Sequence, residues 1–313
     1  MKSVVAITVA MTVMFSSLAS QLTIEDISPH FATNMPIVWQ ASMDRLPNSF
    51  WTYKTSPQNF SFVAISNAIV LAGLQNKGFP NSSTNQLTIW ADHSEVEPEP
   101  PYLLVLPNVG QLSFTLGDRT PEKPSELPKN EAVEQAWKYL LQFEVDRNQL
   151  RKTNVNDITD LGVALPRLVD GVEFQKYGQG FSLLISKDGK LLNFSLLWPK
   201  LERVKNEQIA SRDQITACIR AFKTPSPPIG EEQNYFDWLK QLAKARKLIV
   251  NQIKPYYGEG IYGEVFKENE ISKPVVPYAE LEALADFGDT NFTVKLLAPI
   301  ISSEATRLLK QSH

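Results

Sequence analysis

Pro255–Glu264, PYYGEGIYGE, is the stretch of the chain richest in side chains that could do chemistry. Tyr256, Tyr257 and Tyr262 are interleaved with Glu259 and Glu264 around three glycines. A tyrosine offers a rigid face for stacking on a sugar ring and a hydroxyl for hydrogen-bonding it. Glycine lets a ligand come close to the main chain. A pair of carboxylates is what glycoside hydrolysis needs, one as acid and one as base or nucleophile. The same composition also suits a plain Gly-rich turn with half-buried tyrosines at the end of a sheet. Trp51, in Phe50-Trp51-Thr52-Tyr53, is the tryptophan least tied to an apolar helical stripe and the candidate surface anchor. The ligand-binding candidates are therefore Tyr256, Tyr257, Glu259, Tyr262, Glu264 and Trp51. No catalytic residue and no metal ligand is assigned.

Other chemistry has thinner support. Asp286 and Asp289 flank Phe287-Gly288 and, with Glu264, could offer oxygen ligands to Ca²⁺; their spacing matches no known loop, and a capped turn accounts for them. Cys218 is the single cysteine, which excludes an intrachain disulfide and a multi-cysteine zinc site. His30, His93 and His313 are the only histidines and lie far apart in sequence. GxSxG, HExxH, P-loop, EF-hand and CxxC patterns are all missing, and no cofactor is implied. A net charge of −3 supplies no basic excess for phosphates, which removes the electrostatic basis of nucleic-acid binding.

The elements that would position these residues are patterned unevenly. Residues 20–58 read as irregular. Residues 61–77 carry Ile65, Ala68, Ile69 and Ala72 at helical spacing, with Ser61 as cap and Gly78 as stop. Gln86–Trp90, Tyr102–Leu106 and Gln111–Leu116 read as strands. Asn130 caps an expected helix with Val133, Ala136, Trp137, Leu140 and Leu141 on one face. Arg167–Phe174 reads as a strand across Asp170-Gly171. Gly180–Ser186 and Lys190–Trp198 flank Asp188-Gly189, a hairpin signal, because both turn positions need positive φ. Ser211–Gln214 is a capping-box pattern opening a helix with Ile215, Cys218, Ile219 and Phe222 on one face, so Cys218 reads as a small core residue. Tyr235–Arg246 is expected as helix, Lys247–Tyr256 as strand, Tyr278–Phe287 as a short helix, and Phe292–Leu297 as strand. A terminal helix begins near Ser303.

The N-terminus has the three-part export pattern: Lys2, an apolar run from Val4 to Phe15, and Ser17-Leu18-Ala19 as cleavage site. The run is shorter than the ~20 residues of a spanning helix. The expected organisation is a signal peptide over 1–19, an N-terminal subdomain over 20–120, and a Pro-rich linker over 121–129. A helix-plus-hairpin unit over 130–223, a second Pro-rich linker over 224–230 and a C-terminal segment over 231–313 follow. The expected fold class is α+β, with antiparallel hairpins and sheets packed against amphipathic helices in two subdomains. Asn-x-Ser/Thr sequons occur at Asn59, Asn81, Asn193 and Asn291. They read as chance matches, and Asn193 falls inside an expected strand.

Residues 130–198 carry the amphipathic helix EAVEQAWKYLLQF, the strand around Val169-Asp-Gly171-Val172 and the hairpin at Lys187-Asp-Gly189-Lys190. This combination resembles a PepSY-type unit. The resemblance implies an exported or membrane-flanking α+β module of the kind found in protease propeptides and cell-envelope regulators, without catalytic residues. Trp198-Pro199 stands where that unit's familiar turn would be.

The leading expectation is an exported, secreted or periplasmic protein without enzymatic activity. It would recognise another protein or a cell-envelope component, bind no nucleic acid, and keep no transmembrane anchor after signal removal. The competing expectation is a secreted carboxylate-dependent hydrolase or carbohydrate-binding protein acting on polysaccharide or peptide. A third is a structural envelope protein with no discrete site. A hydrolase requires two converging carboxylates in a concavity. A binding module requires an exposed apolar patch or an open sheet edge.

Overall fold

The computed structural model describes residues 35–75, 78–83, 86–91, 102–115, 127–151, 162–175, 179–186, 191–221, 223, 242, 244–259 and 272–310. The segments 1–34, 121–126 and 224–241, which include the export pattern and most of both Pro-rich linkers, lie outside the described residues. Among the described residues there are fifteen strands and four α-helices. The expectation of an α+β fold built on helix-packed hairpins is thereby corrected: the architecture is predominantly β, with two large sheets.

The strands follow in chain order. They are β1 (Ile37–Trp39), β2 (Ser49–Ser56), β3 (Gly78–Ser83), β4 (Gln86–Ala91), β5 (Tyr102–Leu106), β6 (Gln111–Thr115), β7 (Val163–Pro166) and β8 (Leu168–Val169). Then come β9 (Val172–Glu173), β10 (Gly180–Ile185), β11 (Leu191–Leu197), β12 (Lys200–Gln208), β13 (Lys247–Glu259), β14 (Pro274–Asp286) and β15 (Asn291–Pro299). The helices are α1 (Phe62–Leu71), α2 (Lys129–Leu140), α3 (Arg212–Arg220) and α4 (Ser302–Lys310).

One sheet runs β3-β4-β5-β6-β11-β10-β7, every pair antiparallel. Alternation sets its buried face: Leu103, Val105, Leu112, Phe114, Phe181, Leu183, Phe194 and Leu196 point inward. α1 and α2 contribute Ala68, Ala132, Ala136 and Leu140 to the same core. Phe143 joins Phe181 and Phe194 there, with ring centroids 5.9 and 5.0 Å away. The β10–β11 hairpin forms as its flanking strands suggest, and its turn residues 187–190 lie outside the described residues. α2 starts at Lys129 with Pro128 in the cap position and no side-chain cap bond, so Asn130 does not serve as the cap.

The other sheet runs β1-β13-β14-β2-β12, with β15 on β14. β14 is its spine. Pro274 and Val275 pair with β2, whereas Tyr278–Asp286 pair with β15 on the same edge. β12 pairs along β2, and Ile209 then bridges to Ile301 just beyond β15. Strands β2, β12, β15 and β14 therefore curl round toward each other. α3 lies against this core through Ile215, Cys218 and Ile219, and its capping box forms between Ser211 and Gln214. The Cys218 thiol reaches the Ala305 carbonyl of α4 at 3.6 Å, and burial pushes its pKa up to about 11, so it is packing rather than a nucleophile.

Several local expectations change. Tyr278–Phe287 is not a helix, because Ala279, Leu281, Ala283 and Ala285 are buried while Glu280, Glu282 and Asp286 face outward. That is a period of two, not 3.6. Residues 20–58 are not all irregular: β2 is a central strand. β12, which the local pattern did not reveal, is a charged partner strand of β2. Arg167–Phe174 is a tight hairpin, with Asp170 at φ 49° and Gly171 at φ 78°, the two positive-φ positions of a type I′ turn. Of the expected helix Tyr235–Arg246, residues 235–241 and 243 lie outside the described residues.

The two sheets do not follow one another along the chain. β1 and β2 belong to the second sheet, β3–β7, β10 and β11 to the first, and β12–β15 to the second again. Ser56 at the end of β2 pairs with Lys200 at the start of β12. The helix-covered sheet is thus inserted between two neighbouring strands of the other, and its entry and exit points lie side by side.

Candidate functional site

The seam where the β8–β9 hairpin crosses onto the second sheet collects polar groups. Phe174 bridges Tyr257 of β13, and the Gln175 N–H donates to the Tyr257 carbonyl at 2.8 Å. Tyr257 is fully buried; its hydroxyl donates to the Trp51 carbonyl at 2.8 Å, and its ring meets Tyr53 edge-on at 5.6 Å. The Tyr53 hydroxyl donates to the Asp170 carboxylate, whose other oxygen holds Arg203 Nη2 at 3.1 Å. The Arg203 guanidinium lies over the Trp51 ring at 5.0 Å. The positive-φ turn is what aims Asp170 at this group.

Beside it, Arg167 is buried, with Nη1 donating at 2.7 Å to both Gln179 Oε1 and the Pro199 carbonyl, and Nη2 to Gln149 Oε1 at 3.2 Å. Its guanidinium stacks over Trp198 at 4.3 Å, and among the described residues its Nε has no hydrogen-bond partner. Gln179 Nε2 donates to Glu259 Oε1 at 2.7 Å, and Lys273 Nζ stands 3.7 Å from Glu259 Oε2.

The structure therefore distributes the sequence candidates rather than gathering them. Trp51 and Tyr257 meet, and Glu259 sits further along the same strand as a strut to Gln179. Tyr256 lies on the opposite face of the sheet, stacked on Tyr278 at 5.8 Å with Lys254 Nζ 4.5 Å over its ring. Tyr262 and Glu264 lie outside the described residues. Pro255–Glu259 is the end of a strand and not a loop. Asp286 accepts from the Gly288 N–H at 2.7 Å, closing the turn into β15. Among the described residues no group of three or more His, Cys, Asp or Glu side chains could hold a metal ion.

The electrostatics of the seam suit architecture. Burial first, and the hydrogen bond to Asp170 second, raise the Tyr53 pKa to about 12; burial raises that of Tyr257 as well. Burial lowers Arg167 to about 10. All three groups hold their protons at neutral pH. Sequence reasoning missed Arg167, Gln179, Tyr53, Asp170 and Arg203, whose partners are mostly far away along the chain. Only the Asp-Gly turn signal pointed to Asp170.

A second feature lies on α1. Ser61 caps it, accepting from the Ala64 N–H at 3.0 Å, and its hydroxyl donates to Glu144. Only Ala64 and Ala68 are buried. Phe62 is 85% exposed, and Val63 and Val70 are each 52% exposed, with exposed Leu141 on the 3-10 turn that packs beside the helix. No charged residue occurs from Ser56 to Asn76. A phenylalanine this open within an uncharged stretch is unusual for a surface helix.

No family model matches the chain, and no curated protein does. Among solved structures it is similar to an uncharacterized protein from Eubacterium rectale ATCC 33656, at 12% identity and a TM-score of 0.43, over 84% of this chain and 85% of that one. Among the described residues no helix is long and apolar enough to cross a membrane.

Proposed function

We propose that this chain is an exported, non-enzymatic binding or regulatory protein that recognises another protein or a cell-envelope component through the open face of α1. The observation that carries the reading is the uncharged apolar surface of Phe62, Val63 and Val70. Leaving Phe62 in water forgoes about 1.5–3 kcal/mol, and each half-exposed valine roughly half as much, a loss that a binding partner removes. The export pattern at Lys2–Ala19 and the resemblance of residues 130–198 to a PepSY-type unit support the same reading. The seam supports it from the other side: its tyrosines and arginine are engaged in holding two sheets together, and Glu259 is tied to Gln179 and Lys273.

The test is capture of partners from the envelope and secreted fractions of the producing cell by the tagged mature chain, after cross-linking. A single enriched species, lost with Phe62→Asp and kept with Glu259→Gln, is the expected result. Hydrolysis of a glycan or peptide panel that Glu259→Gln abolishes would overturn it.

A further inference from the structure

We propose that the seven-stranded sheet, on the face turned away from α1 and α2, forms a two-fold contact between two copies of this chain. The observation that carries it is charge. The chain is 21% charged, yet none of the strands β3, β4, β5, β6, β7, β10 and β11 contains a charged residue. In the other sheet every strand longer than three residues carries at least one. A sheet face left to water collects charged side chains, as that second sheet does. The covered centre of an interface is depleted of them. One face of the uncharged sheet packs on α1 and α2 around Leu103, Phe114 and Phe194. On the other, alternation places Leu104 of β5, Leu184 of β10 and Leu197 of β11, all partly exposed, beside Ser113 and Ser195. Among the described residues, no apolar cluster takes in any of these three leucines.

Symmetry and area name the occupant. An unlike partner is selected by setting charge against opposite charge. A two-fold contact sets each residue near the axis against its own kind, where any charge repels its copy. A sheet without charge across its whole width meets that requirement. Seven strands ~4.8 Å apart and about 19 Å long make a face on the order of 640 Å². Two copies therefore bury roughly 1,300 Å², within the ~1,200–2,000 Å² of a stable complex. The sheets then lie about 10 Å apart, with their strands inclined by about 30°. β6 is the middle strand of the seven and Ser113 its middle residue, so full overlap puts Ser113 beside the axis. The contact is independent of the α1 reading. Because α1 lies on the sheet's other face, the pair holds two α1 surfaces outward and is bivalent toward what they bind.

Sedimentation equilibrium of the full mature chain, up to roughly 100 µM, is expected to show a reversible dimer. Ser113→Lys and Ser113→Glu are each expected to be monomeric with unchanged circular dichroism, because position 113 faces away from the core. Their equimolar mixture is expected to dimerise again, since lysine and glutamate then meet across the axis. Lys205→Glu, on exposed β12, is expected to leave the dimer intact. With no substitution at all, hydroxyl-radical oxidation of Leu104 and Leu197 is expected to rise roughly threefold on dilution to monomer, and that of Phe62 to stay level. A chain monomeric at every concentration overturns the inference. So does a dimer that both Ser113 variants keep, or leucine oxidation that dilution leaves unchanged. A monomeric chain from which Ser113→Lys removes a captured envelope protein also overturns it, because the face then serves an unlike partner. If the chain is monomeric and Phe62→Asp loses the captured protein, the dimer fails and the α1 reading stands. If it dimerises as expected and captures nothing, the dimer stands and the α1 reading fails.

Discussion

Tyr257 shows how a residue can suit a ligand by its type and serve the core by its place. Its hydroxyl is spent on the Trp51 carbonyl and its ring on Tyr53. The raised pKa values of Tyr53 and Tyr257 bear on stability. Tyr53 folded titrates near 12 and unfolded near its ordinary 10. Its contribution is therefore complete below pH 10 and is lost as pH rises from 10 through 12; Tyr257 acts in the same direction. Arg167, lowered to about 10, works the other way: losing its proton in the folded state relieves a burial cost. Two tyrosines against one arginine leave a net fall in stability above pH 10. Ultraviolet titration of tyrosine at pH 11 should show at least two of the nine tyrosines ionising only once guanidinium is added, and one fewer in Tyr257→Phe. Gln179→Ala strips a partner from both Arg167 and Glu259 and should cost about 2–3 kcal/mol in a urea melt. An unchanged midpoint would show that water replaces the amide freely. None of these long-range pairs was legible beforehand: Tyr53 and Asp170 lie far apart in the chain, and no local pattern couples them.

Helices and strands were legible where the local pattern agreed with burial. Ser61 and the Ser211–Gln214 box capped the helices that their sequences announce. β5, β6, β13 and β15 emerged from β-rich runs. β14 misled because Ala, Leu and Glu favour helix in isolation, while its alternation, Ala279–Leu281–Ala283–Ala285, was the truer signal. β12 was hidden by its charges, which suit a strand with little sheet beyond it. Turn chemistry can be tested at this scale with two glycines in left-handed conformation. Gly171 at φ 78° has open space where a Cβ would go, so Gly171→Ala should cost only the backbone penalty of about 1–2 kcal/mol. Gly110 at φ 65° would push a Cβ to 2.4 Å from the Pro199 backbone, at the point where the Trp198 N–H donates to the Gly110 carbonyl. Gly110→Ala should therefore cost well above that, about 3 kcal/mol or more, and equal melts for the two variants would refute the close approach.

At the scale of the whole molecule, the described residues form two large sheets, one inserted into the other, joined by a polar seam, with a bare face on α1. Its predominance of strand was not legible, because β1 and β2 owe their strand state to partners in β13 and β14 far along the chain, and β12 owes its own to β2. The adjacency of Ser56 and Lys200 has a consequence for the order in which the chain folds. To a strand pair, residues 57–199 are one loop. Closing it while it is still unstructured costs roughly 3 kcal/mol more than closing a short turn. Once the inserted sheet has formed, its own ends already stand together, and β2 meets β12 as though across a hairpin. Pulse-labelled hydrogen exchange during refolding should find amides of β5, β6, β10 and β11 protected before those of β12, and simultaneous protection would contradict this order. The inserted sheet is in that sense the template on which its host closes.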